Sequence, residues 1–98
     1  MSGEDGVLVN IPVELILDQK ILERGYYNVV GVKQDGKAII KFYQSQFLKG
    51  EIIAEETTDD FEEKDINFAK ILDFNENFVK LIFGSIDFNA YVYIPFRN

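Results

Sequence analysis

The sequence predicts an α+β fold, in which an antiparallel β-meander of about five or six strands follows one N-terminal helix. Three observations favour this class. An Asp-Gly pair stands between two apolar runs, which is the strongest short-range signal of a β-hairpin. Apolar and polar residues alternate through much of the second half. Good helix formers near the N-terminus are bounded by a proline and a glycine.

The N-terminal stretch supports two interpretations. A helix is predicted over 12–24, with Asn10 as its N-cap, Pro12 in its first turn and Gly25 just beyond its end. Apolar residues also alternate from 7 to 17, which is the period of a strand. If that stretch is a strand throughout, the fold is instead an all-β small barrel or sandwich.

The next segment predicts a β-hairpin. The Asp-Gly pair at 35–36 forms its turn, between YYNVVGVK and KAIIKFYQ, because both residue types tolerate positive φ. On this register Val32 faces Ile39, and Val29 faces Phe42. A short strand, EIIAEET, follows after a turn.

The second half predicts three further strands joined by turns, INFAKILDF, FVKLIFG and FNAYVYIPF. An alternative is a helix that begins at Asp60 and continues through 69–72, with Glu63 completing a capping box.

The length of 98 residues predicts one domain over 1–98, of which residues 1–6, small and polar, are a flexible N-terminal lead.

Charge is concentrated in one place. The window 51–65 holds eight acids and one base, so its net charge of −7 equals that of the whole chain. We define the acidic segment as residues 55–65, EETTDDFEEKD. Summed charge bears on association rather than on fold. The predicted partner-binding residues are acids of this segment and the phenylalanine among them: Glu55, Glu56, Asp59, Asp60, Phe61, Glu62, Glu63 and Asp65.

These residues predict a small acidic, non-enzymatic protein-binding module, an accessory subunit or inhibitor that engages a basic surface of a partner protein. An aromatic side chain flanked by acids suits a basic groove. The alternative is a single-stranded nucleic-acid-binding module that stacks bases on aromatics of the sheet. The aromatics on predicted strands are Tyr26, Tyr27, Tyr43, Tyr91, Tyr93, Phe42, Phe78, Phe83 and Phe88. Because the net charge opposes phosphate binding, nucleic acid is not the expected partner.

The amino-acid composition excludes the residues on which many catalytic sites depend. With neither histidine nor cysteine, the chain lacks the usual zinc ligands and the Ser-His and Cys-His nucleophile pairs. The acidic segment also fails the calcium-loop pattern, because Lys64 stands where that loop needs glycine. We therefore expect no enzyme activity, no catalytic residues, no cofactor and no metal site.

The remaining expectations concern location and assembly. No apolar run approaches the roughly 18 residues of a membrane-spanning helix, so no membrane partner is expected. The N-terminus lacks the pattern of a secretory signal, which predicts a cytoplasmic protein. An exposed strand edge would also allow a homodimer.

Overall fold

The computed structural model describes residues 6–18 and 20–97, and these form nine strands. The strands are β1 (Val7–Ile11), β2 (Glu14–Leu17), β3 (Lys20–Leu22), β4 (Gly25–Gln34), β5 (Lys37–Gln44), β6 (Phe47–Thr57), β7 (Phe68–Asp73), β8 (Phe78–Gly84) and β9 (Asn89–Arg97). Residues 1–5 of the predicted flexible lead lie outside the described residues. The described part of the chain contains no helix, and so no helix that could cross a membrane.

The helix predicted over 12–24 is wrong, because β2, β3 and the approach to β4 occupy this stretch. In a helix Leu15 and Leu22 would lie opposite Leu17. In the structure Leu15 and Leu17 share one face of β2, and Leu22 pairs with Leu15, so all three are buried. Pro12 lies between β1 and β2, where its missing N–H interrupts no ladder. The α+β class is therefore wrong, and the all-β alternative is correct.

The hairpin prediction is confirmed. β4 and β5 pair antiparallel with Val32 opposite Ile39 and Val29 opposite Phe42. The two turn residues at 35–36 have positive φ angles of 54° and 77°. The predicted meander is also confirmed, since β7 pairs with β8 and β8 with β9.

The strands form one continuous array in the order β1-β4-β5-β6-β9-β2-β3. Strand β9 joins its parts, because it pairs with β6 near its start, with β2 at its end and with β8 along its other edge. Strand β7 lies beyond β8. Cα atoms of β1 and β7 come within 8 Å of each other, so the array curls around a single core.

Strand alternation separates the core from an outward face on β7, β8 and β9. On β9, Ala90 and Ile94 are fully buried, whereas the intervening Tyr91 and Tyr93 point away from the core. The largest fully buried side chains are Phe42, Ile11, Leu15, Leu22, Ile40, Leu81, Ile82, Ile94 and Val29. The acidic segment packs on this outward face.

Candidate protein-binding site

The acidic segment begins on β6 and continues into the loop that precedes β7. Glu55 and Glu56 are exposed on the strand, where Glu55 is in register with Tyr91 of β9. An ion pair joins Oε1 of Glu56 to Nζ of Lys33 at 3.0 Å. Because both side chains are about half exposed, this pair contributes little to stability.

The loop after β6 is shaped by two successive side-chain turns. Oδ1 of Asp59 accepts a hydrogen bond from the N–H of Phe61 at 2.8 Å, and Oδ1 of Asp60 accepts one from the N–H of Glu62 at 2.9 Å. Phe61 and Glu62 have positive φ angles of 53° and 61°, which an α-helix does not contain. The alternative helix from residue 60 is therefore wrong, because aspartate side chains here bond the backbone in turns.

Two polar contacts fasten the loop to the strands beneath it. Nδ2 of Asn89, at the start of β9, donates a hydrogen bond to the carbonyl of Asp59 at 2.9 Å. Nζ of Lys70, on β7, lies 2.8 Å from Oε2 of Glu63, whose side chain is only 18% exposed. The loop is thus attached to both sides of the outward face.

The ring of Phe61 provides the apolar attachment of the loop. Its centre lies 6.1 Å from that of Phe68 and 6.5 Å from that of Tyr91, in edge-to-face arrangements. The side chain is half-buried between them. Phe61 therefore already has a position on its own sheet, and only part of its surface is open to a partner.

A small second core lies under the loop. Phe68 and Ile82 are 5% and 2% exposed, although both lie on the outward face and outside the main core. Phe68 pairs in register with Gly84, where an added Cβ would lie 2.2 Å from Cε2 of the Phe68 ring. Glycine at this position lets the ring lie directly on the backbone of β8.

Aromatic side chains continue from the loop across the face. We call the set Phe61, Tyr91, Tyr93 and Phe74 the aromatic cluster. Successive ring centres lie 6.5, 5.9 and 4.6 Å apart. Phe74 and Tyr93, at the far end, are 56% and 39% exposed. The cluster therefore joins the acidic loop to an aromatic pair that is open to solvent.

The Lys80 ammonium group lies against this cluster. Nζ of Lys80 on β8 is 5.4 Å from the ring centre of Phe61, 5.2 Å from that of Tyr91 and 5.6 Å from that of Tyr93. These distances are within the range of cation–π attraction. Lys80 therefore links the loop ring to the two strand rings.

The eight predicted partner-binding residues fall into two groups. Phe61 and Glu63 are half-buried and hold the loop on the sheet. The others are exposed: Glu55, Glu56, Asp59, Asp60, Glu62 and Asp65. Within the described residues, the carboxylates of Glu62 and Asp65 take part in no hydrogen bond or ion pair. The Glu55 carboxylate on β6 likewise makes neither kind of contact in this part of the chain, so Glu55, Glu62 and Asp65 are the acids most directly available to a partner.

No three acids in the described ranges are grouped closely enough to hold a metal ion. Burial, with a smaller contribution from Glu23, raises the pKa of Tyr27 above its usual value of 10.0. The Tyr27 hydroxyl donates a hydrogen bond to the carbonyl of Glu23 at 2.5 Å, which is a structural contact between β4 and the turn that precedes it.

The acidic segment was predicted as the binding region, whereas Tyr93 was only one of nine aromatics predicted on strands and its pairing with Phe74 was not predicted. The pattern that indicates an outward-facing Tyr93 is present in FNAYVYIPF, where Tyr91 and Tyr93 alternate with small and aliphatic residues.

Comparisons with protein-family models, curated proteins and solved structures found no match to this chain. Inference about function therefore depends on the geometry of this site.

Proposed function

We propose that this protein is a non-enzymatic protein-binding module, an accessory subunit or inhibitor that engages a basic surface of a partner protein. Its binding surface is the acidic segment together with the aromatic cluster. The observation that supports this most is the solvent-open pair of Phe74 and Tyr93, connected through Tyr91 and Phe61 to a loop of exposed acids.

The ordered backbone of the acidic loop supports a role in binding a partner protein. A flexible acidic segment would lose backbone conformational entropy on binding, which costs about 1–2 kcal/mol for each residue that becomes fixed. Here two side-chain turns and the half-buried Phe61 already fix the backbone. Glu62 and Asp65 are therefore presented on a preorganised loop, and less entropy is lost when a basic surface approaches.

The composition of the surface also fits a protein partner. Interface hot spots are enriched in tyrosine and lie in an aromatic centre, with polar residues at the rim. Tyr93 and Phe74 provide such a centre, and the acids provide one side of the rim. A complementary partner has lysine or arginine residues beside an apolar pocket.

Affinity capture from the native host tests this proposal when it uses matched baits. The variant Glu62→Lys/Asp65→Lys reverses two exposed acids whose carboxylates take part in no hydrogen bond or ion pair within the described residues. The control Glu23→Lys/Glu76→Lys makes the same change of charge at exposed positions outside the segment. The proposal requires a protein that wild type and control retain and the loop variant loses. A protein that all three baits retain equally would contradict it.

A second candidate is a single-stranded nucleic-acid-binding module. One observation favours it, namely that Lys80 lies among three aromatic rings on an open sheet face, as base-stacking surfaces often combine rings and cations. The exposed acids beside this face oppose it, because they repel phosphate. Titration with a labelled oligonucleotide decides between them. Binding tighter than about 1 µM at physiological salt would favour this candidate, since non-specific contacts give roughly 10⁻⁴–10⁻⁶ M.

The proposal also places this activity in the cytoplasm. A chain that contains no cysteine is compatible with a reducing compartment, where disulfides do not form. Fractionation of host cells with an antibody against the protein tests this location, and recovery outside the cytoplasmic fraction would contradict it.

A further inference from the structure

The outward faces of β5 and β6 have matching side-chain patterns. Alternate residues of β5, between the buried Ala38, Ile40 and Phe42, point away from the core. The outward residues are Lys37, Ile39 and Lys41 on β5, and Glu51, Ile53 and Glu55 on β6. One strand therefore presents Lys-Ile-Lys and its neighbour presents Glu-Ile-Glu.

The register places unlike charges side by side. Ile39 is directly opposite Ile53, and Lys41 is directly opposite Glu51. One residue beyond the Ala38–Ala54 pair, the same register brings 37 alongside 55. The face thus has an apolar centre between two charged rows, and each row is neutral overall.

This face is open in the single chain. Ile53 is 55% exposed and lies beside Ile39, so the two isoleucines form an apolar centre that solvent reaches. Within the described residues, neither Lys41 nor Glu51 takes part in an ion pair. The charged groups therefore remain available to a second surface of the same pattern.

We propose that a second copy of this chain packs against this face. A two-fold axis parallel to the strands, midway between β5 and β6, exchanges the two strands. It sets Lys41 of one copy against Glu51 of the other, and Ile39 against Ile53. Such a contact is isologous, because each residue pair occurs twice. Charge complementarity thus selects a second copy as the occupant.

The size of the face predicts a weak dimer. With strands about 4.8 Å apart and outward rows about 6.8 Å apart, the six side chains and their neighbours Val32 and Tyr43 cover a footprint of roughly 260 Å². Two copies then cover each other over a combined footprint of roughly 500 Å², which is well below the 1,200–2,000 Å² of most stable complexes. The dimer therefore forms reversibly at high concentration. The inference shares only Glu55 with the proposed binding surface, and its test varies Lys41 and Glu51, which lie outside that surface.

Sedimentation velocity of the full chain, from about 10 µM to about 1 mM, tests the dimer. Wild type should shift from monomer to dimer across this range. Glu51→Lys puts like charges opposite each other and should weaken association about tenfold or more. The double variant Lys41→Glu/Glu51→Lys restores the pairing with the two charges exchanged and should recover wild-type association to within about threefold.

The control Glu76→Lys makes the same charge change in an exposed loop. Both single variants lower the net negative charge, which by itself favours association. A weakening seen only for Glu51→Lys is therefore specific to the face. Thermal unfolding of each variant checks that it folds. A wild type that stays monomeric at every concentration, or a double variant as weak as Glu51→Lys, would overturn the proposal.

Discussion

Nζ of Lys80 lies 5.4 Å from the centre of the Phe61 ring. Lys80 belongs to β8 and Phe61 to the acidic loop, so this contact joins the sheet to the segment proposed to bind a partner. Contacts of this kind contribute about 0.5–2 kcal/mol, depending on how far they are removed from water. The acidic segment is consequently an ordered part of the sheet surface rather than a free run of charge.

Removal of the loop ring should loosen the loop. Phe61→Ala is expected to lower the free energy of unfolding by about 2 kcal/mol, less than the 3–5 kcal/mol of a fully buried phenylalanine, because this ring is half-buried. Amide hydrogen exchange across 58–67 should become faster at the same time. Denaturant unfolding and exchange measure the two effects. Unchanged exchange in 58–67 would show that the ring does not hold the loop.

The second small core requires a residue without a side chain at position 84 of β8, because the Phe68 ring lies there. Gly84→Ala introduces a Cβ that would lie 2.2 Å from the Phe68 ring, so we expect a loss of about 1–3 kcal/mol in unfolding free energy. Phe68→Leu removes part of the ring, and the double variant should therefore lose less than the sum of the two single losses. Denaturant unfolding of all three variants measures the coupling. Strict additivity would mean that the two positions do not interact.

Much of the fold was predictable where one local signal was decisive. The Asp-Gly pair at 35–36 fixed both the turn and the register of β4 and β5. The region 12–24 was mispredicted, because Pro12 and Gly25 resemble helix boundaries and good helix formers lie between them. Burial decided the outcome, since only paired strands bury Leu15 and Leu22 together.

The site was predictable in part. The acidic segment is evident from composition, and the outward direction of Tyr91 and Tyr93 follows from strand alternation. The position of Phe61 could not be predicted, because its contact with Tyr91 joins residues 30 positions apart and depends on how β6 meets β9. Local patterns do not specify such a contact.

Stability should decline at alkaline pH through Tyr27. Burial and Glu23 raise the pKa of this hydroxyl above 10.0 in the folded state. The folded state therefore holds the proton more tightly than the unfolded state, and this contribution is complete below about pH 10 and is lost as the pH rises through the folded pKa. Thermal unfolding from about pH 8 to pH 11 should show the decline, and Tyr27→Phe should reduce it. An equal decline in both proteins would assign it to other groups.

The exposed end of the aromatic cluster should affect binding more than stability. Phe74→Ser removes a ring that is 56% exposed, and we expect less than about 1.5 kcal/mol of lost stability but about a tenfold or greater loss of affinity for the captured partner. Phe47→Ser is the matched control, because Phe47 is 62% exposed. Phe47 lies at the start of β6, whereas the acidic segment begins near the end of that strand. Titration calorimetry compares the two variants. Equal losses of affinity would mean that the cluster is not part of the interface.

The most direct test of the binding surface is the association rate with the captured partner as a function of salt. At low salt, Glu62→Lys/Asp65→Lys should associate about tenfold or more slowly than wild type, because electrostatic attraction steers the encounter. The difference should shrink at about 1 M salt, where charges are screened within roughly 3 Å. The control Glu23→Lys/Glu76→Lys should keep most of the wild-type rate. Equal rates for the loop variant and wild type at low salt, or an equal slowing in the control, would contradict the proposal that the acidic segment meets a basic partner.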